Sequence, residues 1–256
     1  MLGSQYNPKV ESWWMGHTLS IRLPNWPKYQ WLARRCTSRI FAALLPQRCL
    51  LCAGAADGAS LCPACAADLP LLDAAHCPVC ALPTPSGQIC GSCLKKPPHF
   101  DATHAQYRYD FPLDHLLQHY KYGQQLLVAS LFEPGPASAA DAIIAVPSTP
   151  AHMRERGFNP ALELARPLAR KLGVPLLLTA VSRPYDAPAQ ASLPWKERHK
   201  NIRNAFECHA DLSGQRILVV DDVMTTGATL NELARTLKRH GAVRVENHVV
   251  ARALKE

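Results

Sequence analysis

Residues 216 to 230, Arg-Ile-Leu-Val-Val-Asp-Asp-Val-Met-Thr-Thr-Gly-Ala-Thr-Leu, constrain this 256-residue chain more than any other stretch. Ile217 to Val220 is an apolar, β-branched-rich run of the kind that forms a strand buried on both faces, and Asp221 and Asp222 are expected to end it. Val223 and Met224 lead into Thr225, Thr226, Gly227, Ala228 and Thr229, a small hydroxyl-rich loop around one glycine. Leu230, Leu233, Ala234 and Leu237 then fall at i, i+3, i+4 and i+7, so a helix follows, with Gly241 as its stop. Strand, acidic pair, small polar loop and helix in that order suit a sugar phosphate. Unpaired backbone N–H groups and the positive end of the helix dipole attract the phosphate, and the threonine hydroxyls add donors. Adjacent carboxylates repel each other unless they are used; ribose hydroxyls can donate to them, and a Mg²⁺ carried by the same ligand offsets the repulsion. The bland alternative, a turn whose Asp and Thr merely cap a helix, explains each residue singly but not their shared register.

The second constraint is a duplication. Cys49-x2-Cys52 and Cys62-x2-Cys65 recur as Cys77-x2-Cys80 and Cys90-x2-Cys93, each later cysteine 28 residues after its counterpart. A C-x-x-C turn aims two thiolates at one point, and two such turns complete the tetrahedral sulfur shell that Zn²⁺ accepts. Eight ligands make two closed sites, Cys49/Cys52/Cys62/Cys65 and Cys77/Cys80/Cys90/Cys93, although spacing alone leaves exchange of knuckles between them open. A full sulfur shell leaves no place for a water nucleophile, so both metals are expected to be structural. So small a segment, with few large apolar residues, needs metal to fold. Four C-x-x-C pairs in tandem fit zinc better than redox chemistry.

The rest of the chain reads as follows. Residues 1 to 27 show no defensible period, and Lys28 to Leu45 suggest a helix with one apolar and one basic side. We therefore expect an N-terminal extension with a basic amphipathic helix over 1–45, a double zinc ribbon over 46–96 and an α/β domain over 97–256, with Pro97, Pro98 and Phe100 as the hinge. Within that domain strands are expected at Tyr107 to Tyr109, Ala142 to Val146, Val174 to Leu178 and Val243 to Val250. Helices are expected at Leu113 to Tyr122, Gln125 to Phe132 and Ala161 to Leu172. This alternation is that of a parallel sheet covered by helices, whose sites form at the carboxyl ends of strands. The loop from Pro147 to Asn159 brings Arg154 and Arg156 to such an end, where guanidinium groups can take a pyrophosphate. Lys121, within Tyr-Lys-Tyr-Gly, could sit near a phosphate, although a surface lysine is the default reading. The polar stretch from Arg183 to Phe206 reads as a lid or a mobile connection. The net charge of +8 concentrates near the start: residues 1 to 48 carry seven Lys/Arg against one acid, and residues 101 to 256 carry nineteen against sixteen. No apolar run approaches the ~20 residues of a membrane span. The first thirty residues lack a basic start followed by an apolar stretch, so no secretory signal is expected, and a reducing cytoplasm suits metal-binding thiolates.

Residues 216 to 230 closely resemble the phosphoribosyl pyrophosphate (PRPP) loop of type I phosphoribosyltransferases. Carried over, Asp221 and Asp222 would hold the ribose hydroxyls and Thr225 to Thr229 the 5-phosphate. With the eight cysteines, Arg154-Glu-Arg-Gly-Phe-Asn159, Gln190 with Leu193, and Arg198 with Asn201-Ile-Arg-Asn-Ala-Phe206, the order from about Leu44 to Leu254 resembles the ComF family. That family combines a double zinc ribbon with a type I phosphoribosyltransferase-like domain. The chain departs from its usual pattern at Ser148, Thr149 and Pro160. The resemblance implies a cytoplasmic protein of natural competence, meaning DNA uptake or utilisation, with PRPP, Mg²⁺ and single-stranded DNA as ligands and other competence proteins as partners. A catalytic phosphoribosyltransferase with an unidentified acceptor, and a regulator that senses PRPP, remain as alternatives.

Overall fold

The computed structural model describes residues 48–56, 58–122, 139–184 and 202–254. The expected helices at 28–45 and 125–132 lie outside the described residues, as do Gln190, Leu193 and Arg198. Among the described residues the elements run α1 (Pro63–Ala67), α2 (Gly91–Lys95), β1 (Ala102–Arg108), α3 (Leu113–Tyr122), β2 (Ala142–Ala145), α4 (Pro150–Arg156), α5 (Pro160–Leu172), β3 (Val181–Ser182), β4 (Glu207–Cys208), β5 (Arg216–Met224), α6 (Ala228–Arg239) and β6 (Arg244–Arg252). The main sheet has the order β1-β6-β5-β2, and each neighbouring pair is parallel. β3 and β4 form a separate antiparallel pair. A parallel sheet must be covered on both faces, and the apolar runs of β2 and β5 meet that demand.

On one face, Leu230, Leu233 and Leu237 of α6 pack with Ile217, Val219, Val245 and Val249. On the other, Leu113, Leu116 and Leu117 of α3 and Leu164 and Leu168 of α5 pack with Ile143, Leu218 and Val220. The two halves of the cysteine-rich segment divide between these cores: Cys77, Cys80 and Cys93 join the α6 side, whereas Cys49, Leu61 and Leu69 join the α3/α5 side. The connection between them runs along the outer edge of β1. Leu72 N–H donates to Gln106 O at 3.0 Å, and Arg108 and Thr103 N–H donate to Pro70 and Pro78 O at 2.8 and 3.1 Å. That pairing covers an edge strand whose backbone groups would otherwise be open. Pro46–Glu256 accordingly forms one compact unit.

Three local expectations are corrected. β5 does not stop at Asp221 but continues to Met224, because β6 accompanies it, with Asp221 opposite Val249 and Met224 opposite Arg252. Side-chain charge does not interrupt a ladder made by the main chain. Val174 to Leu178 makes only an isolated bridge, Leu176 to Ile143, since Pro175 has no N–H to extend the pairing. The segment 147–159 is no open loop but contains α4: Thr149 Oγ1 accepts from His152 N–H, Pro150 opens the helix, and Gly157 closes it at φ 76°.

Candidate functional site

The duplicated cysteines form two separate tetrads, Cys49/Cys52/Cys62/Cys65 and Cys77/Cys80/Cys90/Cys93, with the sulfurs of each within 4.8 Å of one another. Cys52 and Cys62 Sγ lie 3.8 Å apart and Cys80 and Cys90 Sγ 3.6 Å. A tetrahedron with Zn–S near 2.3 Å has edges of about 3.8 Å, so the donors fit zinc, and the pairing left open by spacing is adjacent knuckle with adjacent knuckle. The duplication extends to the backbone. Ala53 and Ala81, each following a knuckle, both sit at φ 57°, and their N–H groups return to Cys49 and Cys77 O at 2.9 and 2.8 Å. Burial opposes ionisation of Cys49 and Cys77, but backbone N–H groups aimed at their sulfurs outweigh it and bring them to about 6 and about 7. Burial pushes Cys80 up to about 11. Among the described residues every tetrad cysteine is a free thiol, with no disulfide.

The acidic pair lies at the carboxyl end of β5, beside the end of β2, where Val146 N–H donates to Val220 O at 2.9 Å. Asp222 is only 7 % exposed and ion-pairs with Lys121 at 2.8 Å. Asp221 is half-buried; burial pushes its carboxyl up to about 7, the Asp222 charge adds to this, and Lys121 pulls it back. Lys121 itself is raised above its ordinary value, the Asp222 carboxylate outweighing burial. Sequence reading missed this partner because α3 lies far from β5 in the chain. Tyr120, next to it, donates its hydroxyl to Pro160 O at 2.7 Å and meets the Phe158 ring edge-on at 5.9 Å, fixing α3 against the start of α5.

After Met224 the chain turns through exposed Thr225 and half-buried Thr226 into Gly227, the N-cap of α6, at φ 78°. A Cβ on Gly227 would sit 2.5 Å from Met224 Cε and 3.8 Å from Phe100 Cζ. Thr226 Oγ1 accepts from Ala228 N–H at 3.1 Å, which ties the loop to the first turn of the helix and leaves the hydroxyl's own O–H able to donate. Ala228 and Thr229 begin the first turn of α6, where helix N–H groups lack partners within the helix. Arg154 is exposed and Arg156 half-buried on α4, which starts directly beyond β2. The following Gly157-Phe158-Asn159 is structural. Asn159 caps α5 through Ala161 N–H at 3.1 Å and donates to Val146 O at 3.0 Å, which ties the helix to the strand end.

A second residue escaped sequence reading. Arg252, at the end of β6, is 3 % exposed and donates to the carbonyls of Cys80, Met224, Thr225 and Ala253. A cavity of roughly 290 Å³ lies beside it, lined by Leu82, Lys96, Phe100, Thr225, Asn231 and others, between the second tetrad and the loop. Behind α6 a wider groove is bordered by Lys96, His99, Arg203, Arg235 and Arg239. Glu232 neutralises Arg235 there and also accepts from Asn204 N–H at 2.7 Å. No helix among the described residues is long and apolar enough to cross a membrane.

Comparison with known proteins agrees with this architecture. The double zinc ribbon domain matches residues 40–94 and the phosphoribosyl transferase domain residues 159–256. Competence protein F of Haemophilus influenzae is 32% identical over 157 residues, which covers 56% of this chain and 69% of that protein. The DNA utilization protein YhgH of Shigella flexneri is 37% identical over 114 residues, 44% of this chain and 50% of that protein, so the chain spans about half the length of the YhgH relatives it matches. A shorter stretch of 40 residues, 16% of this chain and 19% of the relative, is 58% identical to the transcriptional regulator GfcR of Methanospirillum hungatei. With both domains in this order, and with the Haemophilus relative covered over more than two thirds of its length, the chain belongs to the ComF family.

Proposed function

We propose that this protein binds PRPP at the carboxyl end of its sheet and serves DNA uptake or utilisation, with single-stranded DNA as its macromolecular ligand. One observation carries the first part: a carboxylate pair, a threonine-rich loop and a helix N-terminus follow one another along β5 and α6 with no intervening structure. In this reading Asp221 and Asp222 accept from the ribose hydroxyls, and the backbone from Val223 to Thr229 holds the 5-phosphate. Arg154 and Arg156 approach the pyrophosphate, and Mg²⁺ arrives with PRPP, whose phosphate oxygens suit it. In this reading each tetrad holds a structural zinc ion, and thiolates kept for metal suit a reducing compartment such as the cytoplasm.

The DNA part is supported by the groove behind α6. Along α6, residues 228, 231, 235 and 239 lie on one side of the helix, so the groove runs from the phosphate loop towards the helix end. Lys96, Arg203 and Arg239 in its lining suit successive phosphates of an extended strand. The names of the competence and DNA utilization relatives point the same way.

Two other readings retain the same site. A phosphoribosyltransferase would release pyrophosphate when an acceptor attacks C1 of the sugar, and a regulator would bind PRPP without turnover; the short match to GfcR favours the second. Incubating zinc-loaded protein with PRPP, Mg²⁺ and separate nucleobases distinguishes them. Binding without pyrophosphate release supports the proposal or the regulator, release dependent on one base establishes the enzyme, and no PRPP binding overturns all three. Between the first two, a gel shift with single-stranded DNA that weakens with salt and with Arg203→Ala/Arg239→Ala favours the DNA role.

A further inference from the structure

One buried cation is shared by the second cysteine tetrad and the phosphate loop. Arg252 Nε donates to the carbonyl oxygen of Cys80, a tetrad residue, at 2.8 Å. Its Nη1 donates to the carbonyl of Met224 at 2.8 Å, to that of Thr225, and to that of Ala253 at 2.6 Å. All four of these acceptors are main-chain carbonyls, which carry partial charge only. A guanidinium this deeply buried needs negative charge nearby. One divalent ion held by four thiolates carries a net charge of minus two, and the second tetrad begins a single peptide away from the guanidinium. On the other side of Arg252, the two carbonyls it gathers belong to the residues that lead β5 into Gly227. There the backbone must turn through positive φ with the Met224 side chain packed beneath.

We infer that Arg252 is a positioning residue that couples metal occupancy of the second tetrad to the backbone of the phosphate loop. With metal bound, the thiolate centre balances the cation and Arg252 holds the Met224 and Thr225 carbonyls in place. Without it, the cation loses its counter-charge, the Cys80 carbonyl is freed with its knuckle, and the loop loosens. The first tetrad packs on the opposite face of the sheet, and among the described residues no side-chain hydrogen bond joins it to the loop. Arginine is required because one planar group reaches Cys80 O and Met224 O together; a lysine ammonium is a single point. That the loop so held takes a sugar phosphate rests on the reading above, but the coupling itself does not.

Hydrogen exchange of peptides spanning 224–229 in the full, zinc-loaded chain tests the coupling without PRPP. Cys90→Ser, which removes a ligand of the second tetrad, is expected to speed exchange of the loop amides about tenfold, the effect of losing one charge-assisted hydrogen bond. Cys62→Ser, the equivalent lesion in the first tetrad, is expected to leave the loop unchanged. Arg252→Lys should retain both zinc ions and still speed loop exchange. Equal acceleration by the two cysteine variants, or none in Cys90→Ser, overturns the inference whether or not Arg252→Lys folds. As a second arm, PRPP should slow chelator-driven release of one zinc in the wild type and not in Arg252→Lys, since coupling is reciprocal. A wild-type protein that binds no PRPP removes the phosphate reading, while the exchange result still decides the coupling.

Discussion

Replacing Lys121 with methionine tests how the acidic pair is held before any ligand arrives. Lys121 Nζ lies 2.8 Å from Asp222 Oδ2, on a carboxylate side chain only 10 % exposed, and the lysine side chain is 24 % exposed. Breaking a fully buried pair by removing one partner costs about 3–5 kcal/mol, because an uncompensated charge remains. The partial exposure of the lysine lowers that figure, whereas the neighbouring Asp221 carboxyl, which Lys121 also stabilises, raises it. We expect a loss of about 3 kcal/mol in magnesium-free buffer, a fall of roughly 6–12 °C in Tm for a chain of this size. Asp222→Asn in the same background should recover most of the loss, since the charge that was stranded is gone. Millimolar Mg²⁺ should also stabilise Lys121→Met more than the wild type, because a divalent ion replaces the missing ammonium. A double-mutant cycle by urea denaturation measures the coupling. Additive single effects, with no rescue by Asp222→Asn, would refute the reasoning and leave Lys121 as a solvated surface group.

Three further outcomes follow from the same geometry. Gly227→Ala places a methyl group against Met224 Cε at a positive φ, costing about 1–2 kcal/mol in backbone strain alone; calorimetry with PRPP should show a larger loss of affinity than the melt shows of stability, and an unchanged affinity would contradict it. Cys62→Ser should retain one zinc equivalent per chain by metal analysis, with the second tetrad intact; two retained equivalents would contradict the ligand set. Because burial raises Asp221 to about 7, above its unfolded value, the unliganded protein should lose stability as pH climbs from about 4 to about 7. Over the upper part of that range PRPP with Mg²⁺ should bind more tightly and release a proton, read from calorimetry in buffers of different ionisation enthalpy; proton release that persists in Asp221→Asn would contradict the assignment.

Local pattern carried much of this architecture. The helix from Pro160 to Leu172 is bounded by Asn159 and Gly173, and that from Ala228 to Arg239 by Gly227 and Gly241, all visible as punctuation in the chain. The cysteine spacing of 28 yields both tetrads, whereas the matched positive φ at Ala53 and Ala81 appears only in the structure. Short-range signals were also present and underused at α4, where Thr149-Pro150 and Gly157 mark both ends of a helix. What stayed hidden depends on contacts between distant segments. Whether β5 continues past Asp221 is decided by how far β6 runs beside it, not by the aspartates. Lys121 gains its role only because α3 crosses near the end of β5, and Arg252 only because β1's outer edge is covered by the connection that delivers Cys80. A charged residue closing an apolar strand was the one available hint of the latter.

A crystal structure of the zinc-loaded protein with PRPP and Mg²⁺ tests the central claim most directly. The account predicts the 5-phosphate against the backbone of residues 225–229 and the ribose hydroxyls within hydrogen-bond distance of Asp221 and Asp222. PRPP bound elsewhere, with Asp222 still paired to Lys121 and the loop empty, would contradict it.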